Sequence, residues 1–186
     1  MTTYYEIMWG NPPIQGVEKW EAGDFDVTVF WVGIPFDGLI PAEVRLYIPP
    51  EDEPHPKPDI LPNPVSWLII SDRLLKIWTP LMGDDVQVFD APIFYESDHR
   101  PCESYHIINP LRVIDAIDWE RSGVHRRTDG TLSLIKPMIL KKECLGELHI
   151  FRLQGYLSAI IVGPAMVKDL KRKGCRGLAF LKIRTS

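Results

Sequence analysis

The stretch from Pro64 to Ile93, PVSWLIISDRLLKIWTPLMGDDVQVFDAPI, constrains the fold more than any other part of the chain. Trp67-Leu68-Ile69-Ile70 is an unbroken apolar run of strand length, as expected where both faces are covered. Ser71 offers a side-chain oxygen to the free N–H groups of a helix start, and Asp72 sits at the positive end of the helix dipole. Leu74, Leu75, Ile77 and Trp78 then form one apolar helix face. Pro80 and Gly83 are expected to stop the helix. Val86, Val88 and Ala91 alternate with polar Gln87 and Asp90, as in a strand. The order strand, helix, glycine, strand recurs in SAIIVGPAMVKDLKRKGCRGLAFLKI, from Ser158 to Ile183. There Ile160 to Val162 is the strand, Pro164 starts a helix faced by Met166, Val167 and Leu170, and Gly174 is expected to end it. Two similar units are one reading; the other is that a common plan occurs twice without kinship.

Between and before these stretches the signals are mostly β. Tyr4 to Trp9, Phe25 to Val32 and Ala42 to Ile48 read as strands, rich in the β-branched and aromatic residues that pack on a pleated surface. Ser104 to Ile108, Thr131 to Leu140 and Leu148 to Leu153 read likewise, while Val113 to Glu120 fits a short strand or a helical turn. Arg121 to Gly130 is a polar loop with a hairpin turn at Asp129-Gly130. Pro49 to Pro64 holds 7 of the 17 prolines and is expected to be an extended, solvated acidic connector, since proline cannot donate to a sheet. At 186 residues the chain has the length of one domain. The expectation is one α+β domain over 1–186, with a mixed sheet and two or three short helices. Within it, residues 1–48 form an N-terminal β-rich lobe, 49–64 the connector and 65–186 the main body.

Composition excludes several classes. No apolar run reaches the length of a membrane-spanning helix, and the N-terminus lacks the basic-then-apolar order of a signal peptide. Three widely spaced cysteines (Cys102, Cys144 and Cys175) fit reduced thiols in a cytoplasm better than a disulfide frame. The net charge of −4 conceals an asymmetry. Residues 1–135 carry 10 Lys and Arg against 22 Asp and Glu, a balance of −12; residues 136–186 carry 11 against 3, a balance of +8. Such a surface attracts basic partners at one region and acidic ones at another.

Three constellations bear on chemistry. His99, Cys102 and His106 have a spacing compatible with metal ligation, but no second Cys/His pair completes a set, so a loop histidine, a core cysteine and a strand histidine is the favoured reading. Asp115, Asp118 and Glu120 bring carboxylates close in sequence, as glycosidase or metal chemistry requires, but Trp119 interrupts them and a solvated turn is the favoured reading. No Walker loop, nucleophile elbow, H-E-x-x-H or G-x-G-x-x-G occurs. Lys168, Lys171, Arg172, Lys173 and Arg176 form a basic stretch; compensation of a helix dipole is favoured over nucleic-acid contact, because aromatics are not interleaved. The opposite case is Leu81 to His99, where Asp84, Asp85, Asp90, Glu96 and Asp98 accompany Phe94 and Tyr95 without a lysine or arginine. These seven residues are the candidate partner-binding patch, with the two aromatics as anchors.

PVSWLIISDRLLKIW, GDDVQVFDAPI, YHIINPLRVIDAIDWERS, HIFRL and the terminal SAIIV with GCRGLAFLKI together resemble a bacterial immunity-protein family of polymorphic toxin systems, the immunity MXAN-type domain, formerly a domain of unknown function. The resemblance spans about Ile60 to Ile183, which makes 65–186 the family core and leaves 1–59 outside it. It implies a cytoplasmic, non-catalytic protein without cofactor that binds and silences a cognate toxin domain encoded beside it. An acidic surface suits that role, because a toxin that attacks nucleic acid must be basic where it meets phosphate, and the acids compete for that ground. The alternatives are an enzyme using the carboxylate or His/Cys group, and a nucleic-acid binder acting through the basic stretch.

Overall fold

A computed structural model describes residues 3–9, 16–50, 57–102, 104–126, 128, 132–134, 137–168, 170 and 172–186. In chain order the strands and helices are β1 (Tyr4–Trp9), β2 (Lys19–Glu21), β3 (Arg45–Ile48), β4 (Leu68–Ser71), α1 (Asp72–Met82), β5 (Val86–Asp90), β6 (Ile93–Tyr95) and β7 (Tyr105–Pro110). They continue as β8 (Val113–Ile114), β9 (Val124–Arg126), β10 (Leu132–Leu134), β11 (Ile139–Leu140), β12 (Ile150–Leu153), β13 (Tyr156–Val162), α2 (Pro164–Lys168) and β14 (Leu178–Thr185). Among the described residues the protein is mostly β-sheet with two α-helices, which is α+β in the broad sense.

The largest sheet has six strands in the order β11-β14-β1-β13-β12-β8 and mixes parallel with antiparallel pairs. The other described sheets are β2-β3-β6, β4-β7-β5 and the β9–β10 pair. Strand β7 lies between β4 and β5 and runs antiparallel to both. Strand β1 lies in the same way between β13 and β14, so the N-terminal strand is built into the sheet that the C-terminus completes.

Alternation across these strands divides the core into layers. Along β4, Ile69 joins a cluster with Trp67, Phe30, Tyr105 and Ile107, while Leu68 and Ile70 join a second cluster with Leu74, Trp78 and Met166. Both faces of β4 are therefore covered, which is why its sequence is a continuous apolar run. The second cluster also takes Ile160 and Val162 from β13, whose Ala159 and Ile161 face a third cluster with Tyr4, Phe151 and Leu153. Helices α1 and α2 thus contribute to the layer between the six-stranded sheet and the β4-β7-β5 sheet. Trp78, fully buried, donates its indole N–H to the Met166 carbonyl at 2.9 Å and ties the helices together.

Several local expectations are met. Ser71 has extended backbone and accepts the Leu74 N–H, as an N-cap does. The helix runs through Pro80 and ends at Met82 rather than stopping at the proline, because in the last turn a proline removes a single backbone bond. Val113 to Ile114 is a strand, paired in parallel with β12.

Others are corrected. Val27 to Phe30, expected as part of a strand, is a 3₁₀ turn. Asp26 accepts both the N–H and the hydroxyl of Thr28, at 2.9 and 2.7 Å, and this local bonding competes with a sheet ladder. The proline-rich segment is not solvated over its second half: Asp59, Ile60, Leu61 and Asn63 are all buried. They cover the outer edge of β4, with Leu61 N–H donating to Ile69 and Ser71 N–H to Asp59, each at 2.9 Å. An otherwise open strand edge supplies the physical reason. Helix α2 ends at Lys168, so Gly174 belongs to a later turn, with φ of 64°, and Arg172 and Lys173 stand beyond the helix whose dipole they were expected to offset. The acidic first half of the connector (51–56), Lys171 and the Asp129-Gly130 turn lie outside the described residues; β9 and β10, which flank that turn, do pair antiparallel. Among the described residues no helix is long and apolar enough to cross a membrane.

Candidate functional site

The acidic stretch begins where α1 ends. Gly83 adopts φ 63° and ψ −165°, a conformation close to glycine-only, and turns the chain so that Asp84 and Asp85 are exposed ahead of β5. Asp85 pairs with Arg112 at 2.9 Å, both about half exposed. Exposed pairs of this kind contribute up to about 1 kcal/mol. The strand that follows is held from behind. Gln87 receives the Phe36 N–H at 2.9 Å, returns its own N–H to the Phe36 carbonyl at 3.2 Å, and receives the buried Asn109 amide at 3.2 Å. Phe89 packs in the first core cluster, and Val88 on the opposite face is 42% exposed.

Asp90 ends the strand directly opposite His106 on β7. Its carboxylate lies 3.2 Å from His106 Nδ1, while Asp72, the first residue of α1, lies 2.6 Å from Nε2. The ring is thus gripped between two carboxylates, one from the helix start and one from the strand end. Asp84 and Asp90 are separated by about 20 Å of extended chain, so the acids form a strip along β5 rather than one cluster.

Beyond β5 the chain leaves that sheet, and β6 pairs in parallel with β3. Tyr95, expected at the surface as an anchor, is 3% exposed. Its side of β6 faces the first core cluster, its hydroxyl receives the Lys57 ammonium at 2.7 Å, and burial pushes the phenol above its ordinary pKa. Phe94 is half-buried beneath the Arg45 guanidinium, 5.4 Å from the ring centre. Glu96 and Asp98 are exposed in the turn that follows, Asp98 facing Arg100 at 3.6 Å. Of the seven sequence-derived residues, six therefore have side chains at least partly at the surface.

The structure disperses the other constellations. Cys102 is buried, His99 stacks edge-on against Tyr47 at 5.2 Å, and His106 is engaged by Asp72 and Asp90. Among the described residues no three His, Cys, Asp or Glu side chains are placed to hold a metal ion. Asp118 and Glu120 border an open hollow with Arg121 and Lys141, but Asp115 does not line it. The Asp118 carboxylate is taken by the Arg121 backbone N–H at 3.1 Å.

Of the three buried charged residues among those described, Glu6, Asp59 and Arg152, none was singled out from sequence, and the last two tie distant segments together. Asp59 accepts from Ser71 Oγ, Arg73 Nε and Nη2, and the Arg176 backbone N–H at 2.7 to 3.1 Å, joining three segments of the chain. Burial alone would raise its carboxyl, but these donors and the Arg73 charge outweigh it and hold the group below the usual carboxylate range. Arg152, 2% exposed, donates to the carbonyls of Phe30, Pro110 and Leu157, and burial brings its guanidinium down to about 10. Both serve cohesion, and nothing in their local sequence distinguishes them from surface charges.

The fold is α+β, and its surface carries a firmly backed strand flanked by exposed acids. Compared with models of known families, residues 13–185 match the one described as Immunity protein family (Imm11), and the chain belongs to that family. The match reaches well upstream of Ile60, so the family region includes most of the segment that the sequence reading placed outside it. No curated protein matches the chain.

Proposed function

We propose that this chain is the immunity protein of a bacterial polymorphic toxin system and neutralises its cognate toxin domain by stoichiometric binding, without catalysis. The observation that carries the reading is the family match over residues 13–185. The strip of Asp84, Asp85 and Asp90, continued by Phe94, Glu96 and Asp98, supports it as the surface offered to a basic toxin domain. Tyr95 drops out of that surface, because its ring is inside. On this reading the protein works in the cytoplasm, where it meets an incoming or newly made toxin, and acts as one domain over 1–186. The shared strand order around β7 and around β1 supports reading the two strand–helix–strand stretches as similar units.

Co-expression with the toxin domain encoded beside this gene tests the reading. Growth arrest relieved by the intact chain, together with recovery of the two proteins as one complex, is the expected result. Persisting arrest with no complex would reject it.

A further inference from the structure

Strand β5 is the last strand of its sheet, and its second edge is open among the described residues. The register identifies which groups that edge presents. Ala91 N–H donates to Tyr105 and Leu111 N–H to Asp85, which fixes the odd-numbered residues of β5 as the hydrogen-bonded partners of β7. In an antiparallel ladder the intervening residues turn their N–H and C=O groups the other way. Val86, Val88 and Asp90 therefore direct their backbone groups outward, and none of them makes a further backbone hydrogen bond among the described residues.

Open edges in natural sheets are normally blocked by shortness, charged side chains, a proline, a bulge or a covering segment. Among the described residues this edge carries charges at its ends alone: its register is unbroken, no proline interrupts it, no backbone segment pairs with it, and its centre is the exposed, β-branched Val88. The contrast lies within the same sheet, where the outer edge of β4 is covered by residues 59–61. The charges around the β5 edge select the occupant. Asp84 and Asp85 stand at one end and Asp90, with Asp72 behind it, at the other; the Arg112 guanidinium and the His106 imidazole face them. Pairing with a second copy of β5 would bring Asp90 of each chain alongside Asp84 and Asp85 of the other, which like-charge repulsion opposes.

We propose that β5 is a docking strand: an extended segment of the toxin domain, carrying lysine or arginine at both ends, adds to the open edge and continues the β4-β7-β5 sheet. The proposal rests on the immunity reading and specifies how that contact is made. Main-chain bonds supply affinity in this mode, and the flanking acids fix register.

Val88→Pro isolates the edge, because it removes an outward N–H while sparing every ladder bond to β7, a setting in which strand proline is tolerated. Val88→Ala keeps the N–H and reports what the side chain alone contributes. The purified toxin domain encoded beside this gene is the probe, and Val88→Ala is the reference for Val88→Pro. Val88→Pro, with unchanged circular dichroism, should bind at least about tenfold more weakly than Val88→Ala. Equal binding by Val88→Pro and Val88→Ala would overturn the docking strand and leave the immunity reading standing. Absence of wild-type binding would overturn both. If Val88→Pro fails to fold, amide exchange of the wild type decides: toxin should slow exchange at Val86, Val88 and Asp90 at least about tenfold, and unchanged rates there would overturn the proposal.

Discussion

Replacing Asp59 with Asn preserves the side-chain shape but removes the charge on which Ser71, Arg73 and the Arg176 N–H converge. The variant should lose about 2–3 kcal/mol in urea unfolding, since hydrogen bonds to a buried charge exceed neutral ones. The pH dependence follows from the sign of the shift. The folded carboxyl titrates below its unfolded value, so its stabilisation is complete above the unfolded pKa of about 4 and is lost as pH falls through the folded value. Between pH 5 and pH 2 the wild type should therefore lose more stability than Asp59→Asn; parallel curves would contradict this account. Arg152→Met should cost roughly 3 kcal/mol, because three carbonyls, two of them buried, lose their donors together. Neither residue was legible in the sequence, where Asp59 lies in a proline-rich acidic run and Arg152 in an ordinary strand. Their roles depend on contacts between distant segments, which local pattern does not encode.

At the scale of elements, two glycines separate backbone strain from packing. Gly83 and Gly177 both have positive φ. A Cβ on Gly83 meets nothing within 4 Å, whereas one on Gly177 falls 2.5 Å from Pro58 Cβ and 3.0 Å from the Ile60 carbonyl. Gly83→Ala should cost about 1–2 kcal/mol from backbone alone. Gly177→Ala should cost clearly more, because it also lifts the 58–60 segment from its place; thermal melts of the two variants give the comparison. The β4-α1-β5 stretch was readable from sequence because each signal there is local: an apolar run, the Ser71 cap and the Gly83 turn. The Val27–Phe30 turn was misread because Asp26 bonds to Thr28 in a region of strand-like composition. Residues 58–63 were misread because their prolines indicate a loop, while their burial comes from the need to cover β4. The acids of the candidate face were legible by composition. The open edge of β5 was not, because being last in a sheet depends on which strands pair elsewhere.

For the whole molecule, the uneven charge is the feature that connects fold with proposed role. Asp84→Lys combined with Asp90→Lys leaves the Asp85–Arg112 pair in place and reverses the sign at both ends of β5. The double variant should associate with a basic toxin domain roughly tenfold more slowly, and its association rate should depend less steeply on salt. Stopped-flow mixing across a salt series provides the measurement, and an unchanged rate would detach this face from binding. The central claim, that the chain acts by covering another protein and transforms no substrate, is tested most directly by titrating it into a fixed amount of active toxin domain. Toxin activity should fall linearly and vanish at one chain per toxin. Loss of activity at a small fraction of that amount, or activity unaffected by excess, would contradict it.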